Sequence, residues 1–192
     1  MGWLYFQKPP SIKQWFEELL SGERREYIEG RPWGECPLLA THKCLASSVG
    51  LKVAYAAVER TPVNGDPVEV FAVIFLLGYA PKEHFDFGYK DMTEHDGPYY
   101  HECPERILKL LTPTDNEYAL KWRAACRAHN ARYRPHAGDK VTFPPATWPG
   151  RGTFSSATVV DAKRRVIALP FGNGRCSKYL WDSMMQAAPC PA

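Results

Sequence analysis

The chain has 192 residues, 45% of them hydrophobic and 23% charged, with 17 prolines and 6 cysteines. That length buries a substantial core without disulfide or metal staples, and the balance excludes both global disorder and a fibrous repeat. The formal charge of +3 hides an asymmetry: residues 121–192 hold twelve Lys and Arg against three Asp, while the first 120 hold twelve against eighteen acids. Such a bipolar chain suits a polyanionic partner at one end, or docking between its two halves.

The longest apolar run, Val70 to Leu77, falls far short of the roughly 20 residues that span a bilayer. The opening MGWLYFQKPP lacks the basic region and apolar core of a secretory signal, so the expectation is a cytoplasmic protein with no membrane partner. Cys36, Cys44, Cys103, Cys126, Cys176 and Cys190 are scattered with no Cys-x-x-Cys pair, which predicts free thiols, with Cys44 and Cys126 acting as small buried apolar groups.

In chain order, an aromatic strand over residues 2–6 ends at Pro9-Pro10. A helix follows, capped by Ser11 with Gln14 three residues on; Ile12, Trp15, Phe16, Leu19 and Leu20 share one face, and Gly22 ends it. After a loop over 22–37, strands are predicted at 38–48 and 51–60. Asn64-Gly65 then marks a turn into a continuously apolar, hence central, strand at 68–79. A further strand covers 85–89, with Phe85, Phe87 and Tyr89 on one face, and the stretch beyond it to Cys103 reads as a polar connector. Pro104 opens a short helix to Leu111, in which Ile107, Leu108 and Leu111 face a core. A Thr114–Glu117 capping box opens a longer helix over 115–133, with a buried stripe of Tyr118, Trp122, Ala125, Cys126, His129 and Tyr133.

Beyond Gly138 the pattern turns to short strands, GDKVTF, GTFSSATVVD and RRVIALPF, with a terminal helical turn in KYLWDSMM and a proline-rich loop, FPPATWPGRG. The predicted class is α+β: an N-terminal antiparallel sheet with packed helices over residues 1–135, then a small basic SH3-like β-unit over 136–192. The two can pack into one compact domain.

The Met-Gly-Trp opening, FGYKDMTEHDGP at 87–98 and CPERILKLLTPTDNEYALKWRAAC at 103–126 resemble a family of uncharacterised proteins carried by bacterial plasmids and phages. The resemblance implies no chemistry and transfers no catalytic residue. It implies a mobile-element setting, in which short accessory proteins counteract host defences or handle nucleic acid.

Residues 84–103 offer His84, Asp86, Asp91, Glu94, His95, Asp96, His101 and Cys103, a mixture of imidazole, carboxylate and thiol that suits a zinc, manganese or iron site. No pair has the spacing of a known metal motif; His84, Asp86, His95 and His101 are the ligands such a site would use. Tyr89, Lys90 and Asp91 at a strand end form a second constellation, and Cys103, at a helix N-cap position beside His101, is a candidate low-pKa thiol. No phosphate-binding glycine loop, nucleophile elbow or zincin helix is present. The stronger pattern is basic: Lys121, Arg123, Arg127, Arg132, Arg134, Lys163, Arg164, Arg165, Arg175 and Lys178, interleaved with aromatic residues including Trp148 and Tyr179. That combination grips a phosphate backbone and stacks on bases, or docks on an acidic protein surface. The functional expectation is a cofactor-free, non-catalytic accessory protein that binds nucleic acid or a nucleic-acid-handling host complex, including one that mediates host defence. A metal-dependent enzyme built on residues 84–103 is the alternative.

Overall fold

A computed structural model of the chain describes residues 3–7, 11–78 and 87–184. The chain divides into two compact units, Met1–Asn130 and Ala131–Ala192. The first holds a six-stranded, wholly antiparallel sheet in the order β1-β6-β5-β4-β3-β2. Its strands are β1 (Leu4–Phe6), β2 (Arg24–Arg25), β3 (Leu38–Val49), β4 (Val53–Pro62), β5 (Glu69–Gly78) and β6 (Phe87–Thr93).

Both faces of the sheet are covered, which is why β4 and β5 read as continuous apolar runs. On one face, α1 (Ile12–Leu20) inserts Phe16 and Leu20 among Ala54, Ala56, Val58, Val73, Phe75 and Phe87. Ser11 caps this helix, its hydroxyl accepting from the Gln14 N–H at 3.3 Å. Phe16 stacks on Phe75 with ring centroids 4.7 Å apart. On the opposite face, α2 (Glu105–Leu108) and α3 (Glu117–Asn130) bury Ile107, Leu108, Trp122 and Cys126 against Val53, Tyr55, Ala57, Ala72 and Ile74.

Three expectations are corrected in this unit. The strand predicted at 85–89 continues as far as Thr93, so Tyr89, Lys90 and Asp91 lie within β6 rather than at its end; residues 85 and 86 lie outside the described residues. Helix α3 is capped by Asn116, whose Oδ1 accepts from the Ala119 N–H at 3.0 Å, and not by Thr114. Its buried stripe is Ala119, Trp122, Arg123 and Cys126, while Tyr118 is 62% exposed and covers Gly97.

Arg123 therefore belongs to the interior, and the reason is Glu94. After Thr93 the chain leaves β6 in a 3-10 turn over Glu94–Asp96, which buries the Glu94 side chain completely. The Arg123 guanidinium donates to both carboxylate oxygens, at 2.6 and 2.8 Å, and to the Thr112 carbonyl at 2.6 Å. Glu94 in turn accepts from the Ala72 N–H at 3.1 Å, and Thr112 exchanges backbone and hydroxyl hydrogen bonds with Val70. Val70 and Ala72 are the β5 positions just beyond the last β6 partner, Thr93 opposite Val73. Side chains thus take over from a strand that has ended, leaving these backbone groups paired.

At the other end of β6 two glycines meet: Gly78 pairs with Gly88, and Gly88 with Tyr5 of β1. A Cβ on Gly78 would come within 2.8 Å of the Trp3 ring, and one on Gly88 within 2.7 Å of the Tyr5 ring. The two rings, stacked with centroids 6.3 Å apart, lie on a surface that only glycine leaves open.

The second unit is an antiparallel meander in the order β10-β9-β8-β7, formed by β7 (Lys140–Trp148), β8 (Gly152–Asp161), β9 (Val166–Leu169) and β10 (Gly172–Arg175). Helix α4 (Lys178–Met184) closes its core with Leu180, Trp181 and Met184 against Val141, Phe143, Val159 and Ile167. Pro144 and Pro145, expected in a loop, lie inside β7 where its register with β8 shifts between Thr142 and Ala146. An edge strand at a bulge tolerates residues that lack a backbone donor.

Two stability measurements check this account. Arg123→Met leaves a buried carboxylate unpaired and is expected to lower the unfolding free energy by about 3–5 kcal/mol in denaturant titration; adding Glu94→Gln should restore much of the loss. Gly88→Ala should cost about 1–3 kcal/mol through the clash with Tyr5, and the cost should shrink in a Tyr5→Ala background.

Candidate functional site

The polar stretch 87–104 does not converge on a metal. His84 and Asp86 lie outside the described residues. His95 lies beside the Phe71 ring with its Nε2 3.9 Å from Glu69, and His101 is half-buried. Glu94 is committed to Arg123, and Asp96 accepts from the Thr93 backbone and hydroxyl. Among the described residues no three His, Cys, Asp or Glu side chains come together as a ligand set. Cys103 is fully buried and is not the N-cap of α2, a place taken by Pro104. Burial first, then the neighbouring Cys126 and Glu94, push its thiol well above the usual range, the opposite of an activated nucleophile. Cys36, Cys44, Cys103, Cys126 and Cys176 are free thiols.

The basic set separates into two groups. Lys121, Arg123 and Arg127 lie on α3 of the first unit. Arg123 is removed from any binding surface by its burial against Glu94, and Lys121 is ion-paired with Glu117 one turn earlier. Arg127 is exposed. The remaining residues, Arg132, Arg134, Lys163, Arg164, Arg165, Arg175, Lys178 and Trp148, belong to the second unit, which holds nine Lys and Arg against three Asp.

Within that unit the backbone gathers several of them. The β8–β9 turn carries Lys163, Arg164 and Arg165 in succession, shaped by Asp161, whose Oδ1 accepts from the Arg164 N–H at 3.0 Å. Arg165 has a positive φ of 57°, a left-handed conformation that costs a side-chain-bearing residue about 1–2 kcal/mol relative to glycine. Its carbonyl accepts from the Cys176 N–H at 2.8 Å, which ties the turn to the segment carrying Arg175 and Lys178.

That segment borders a cavity of about 390 Å³ between β7 and α4. Pro144, Pro145, Trp148, Arg175, Ser177 and Tyr179 line it. Trp148 is half-buried and held by edge-on contacts with Phe143 and Phe154 at 6.4 and 5.8 Å, so its indole is pre-positioned. Tyr179 is 83% exposed. Phe171, beside Trp148, carries the Arg151 guanidinium over its face at 5.4 Å. The cavity thus brings together Trp148 and Arg175, both anticipated from sequence, with Lys178 adjoining. Sequence reasoning missed the Pro144-Pro145 wall because it read these prolines as loop; the signal available was a strand pattern on either side of them.

No helix among the described residues is long and apolar enough to cross a membrane. A domain of unknown function, DUF6927, matches residues 113–176, about a third of the chain, from just before α3 through β10. No curated protein and no solved structure matches the chain.

Proposed function

We propose that the second unit binds single-stranded nucleic acid, holding a base against Trp148 and Tyr179 and the adjoining phosphates on Arg175, Lys178 and the 163–165 turn. The observation that carries this reading is the cavity itself: two aromatic rings, one fixed and one exposed, share it with an arginine in the most basic part of the chain. Stacking on aromatic rings tolerates any base, and flanking cations track the backbone. A single strand fits better than a duplex. Helix α4 is only seven residues long and turns Leu180, Trp181 and Met184 to the core, which leaves Lys178 and Tyr179 exposed in its first turn but no length of free face to read a duplex groove.

Arg165 supports the same reading. A turn position with φ of 57° favours glycine, yet it holds an arginine next to Lys163 and Arg164, where a run of positive charge serves a polyanion. The resemblance of residues 1–3 and 87–126 to plasmid and phage proteins supplies a setting: an accessory protein that engages nucleic acid, or a host complex handling it, during host defence.

The test is fluorescence anisotropy with labelled single-stranded DNA and RNA across a salt series. Affinity should fall steeply with salt, by a slope of about 0.7 per phosphate engaged. Tyr179→Ala should cost about 1–3 kcal/mol of binding with the salt slope unchanged, whereas Arg175→Ala should reduce the slope. Arg165→Gly should move two quantities in opposite directions, raising the melting temperature and weakening binding. No association at low salt would sink the reading and leave an acidic protein surface as the partner of the basic turn.

A further inference from the structure

The first unit holds a cavity of its own, about 330 Å³, on the α1 face of the sheet beside Leu19 and Leu20 at the end of that helix. Strand alternation determines what enters it. Val58 of β4 and Phe71, Val73 and Phe75 of β5 form an apolar floor. Strand order then places two polar walls on opposite sides of that floor: Asp91 and Thr93 on β6, and His42 on β3 with Arg24 on β2. One wall offers a carboxylate and the other a guanidinium.

Neither charged group is used by the fold. Arg25, the neighbour of Arg24, is bound to Glu23 and to the Cys36 carbonyl. Arg24 and Asp91, by contrast, make no side-chain hydrogen bond or ion pair among the described residues, although both line the cavity. His42, between Arg24 and the floor, has its imidazole pKa lowered by burial and by the nearby Arg24 and Arg60 charges, against a hydrogen bond to the Gly22 backbone that raises it, and its buried Nδ1 has no partner among the described residues. The permanent cation facing this space is Arg24, opposed across an apolar surface by Asp91.

We infer that this cavity binds a small zwitterion whose charges stand at opposite ends of an apolar body, an ω-amino acid, its carboxylate on Arg24, its ammonium on Asp91 and its methylene chain over Phe71, Val73 and Phe75. A guanidinium takes a carboxylate through paired N–H donors, and a carboxylate takes an ammonium as a charged acceptor. Convergent polar groups around an apolar floor are the usual composition of a small-molecule site. The inference is independent of nucleic-acid binding, which concerns the other unit.

Isothermal titration calorimetry of the full chain tests it with 6-aminohexanoate and its two half-ligands, hexanoate and hexylamine. The zwitterion should bind, and each half-ligand should bind about tenfold more weakly or worse, since each lacks one charged contact. Arg24→Gln should lower 6-aminohexanoate affinity by about tenfold, and Asp91→Asn should erase the preference for 6-aminohexanoate over hexanoate. Both side chains lack a hydrogen-bond or ion-pair partner among the described residues, so the variants should melt with the parent. The half-ligand series on the unaltered protein decides the matter without any substitution. No saturable binding of 6-aminohexanoate, or equal binding of all three probes, would overturn the proposal.

Discussion

The buried Glu94–Arg123 pair is the constraint around which the first unit is arranged. A six-stranded sheet with helices on both faces has to end its strands somewhere, and β6 ends four residues short of the start of β5. The exposed rungs of β5 would otherwise present unpaired donors and acceptors to the layer formed by α2 and α3. Glu94 and Thr112 close those rungs, and Arg123 binds both of them, so one guanidinium joins β5, the 3-10 turn, the α2–α3 connection and α3. A buried ion pair of this kind adds little stability over an apolar replacement of equal volume. What it contributes is a unique alignment, because a guanidinium that must satisfy three oxygen acceptors admits few positions for its helix.

How much of this is legible in the sequence depends on whether neighbours in the chain determine the outcome. Helix α1 and strands β3 to β5 follow from local pattern: the Ser11 cap, the 3.6-residue apolar stripe, and the long apolar runs that only a doubly covered sheet accommodates. The burial of Arg123 is not local. A charge in an α-helix reads as solvent-facing, and its partner lies 29 positions earlier in a stretch crowded with other acids, nothing of which distinguishes Glu94 from Asp91 or Asp96. The prolines of β7 were obscured for a related reason: a strand that contains Pro144-Pro145 is possible only at a sheet edge with a bulge, and edge position is a property of the whole meander. For the basic cavity, residue types such as Trp148 and Arg175 are visible in the sequence, while their shared placement with Tyr179 depends on the packing of α4 on β7.

The segment matched by the domain of unknown function starts at residue 113 and so takes in all of α3, yet α3 rests on the first unit. Trp122 and Cys126 pack on β4 and β5, and Arg123 closes on Glu94, which lies outside the matched residues. The matched stretch is therefore not self-sufficient, because its helix depends for burial on residues 53–108. Chemistry divides along the unit boundary rather than along the matched segment. The first unit has an apolar cavity with one cation and one anion, whereas the second has aromatic rings amid an excess of positive charge.

The glycine pair under Trp3 and Tyr5 bears on how the sequence motifs of this chain are to be understood. Trp3 and Tyr5 stand more than seventy residues before Gly78 and Gly88, yet their rings lie directly over these two glycines. They form one packing unit, two halves of a lock in which bulk on one strand requires its absence on the other. Related chains should vary at positions 3, 5, 78 and 88 together, exchanging ring for side chain in compensating steps. A fragment that omits the first six residues would lose the partner that makes glycine worthwhile in β6, and would leave that strand as the bare edge of the sheet.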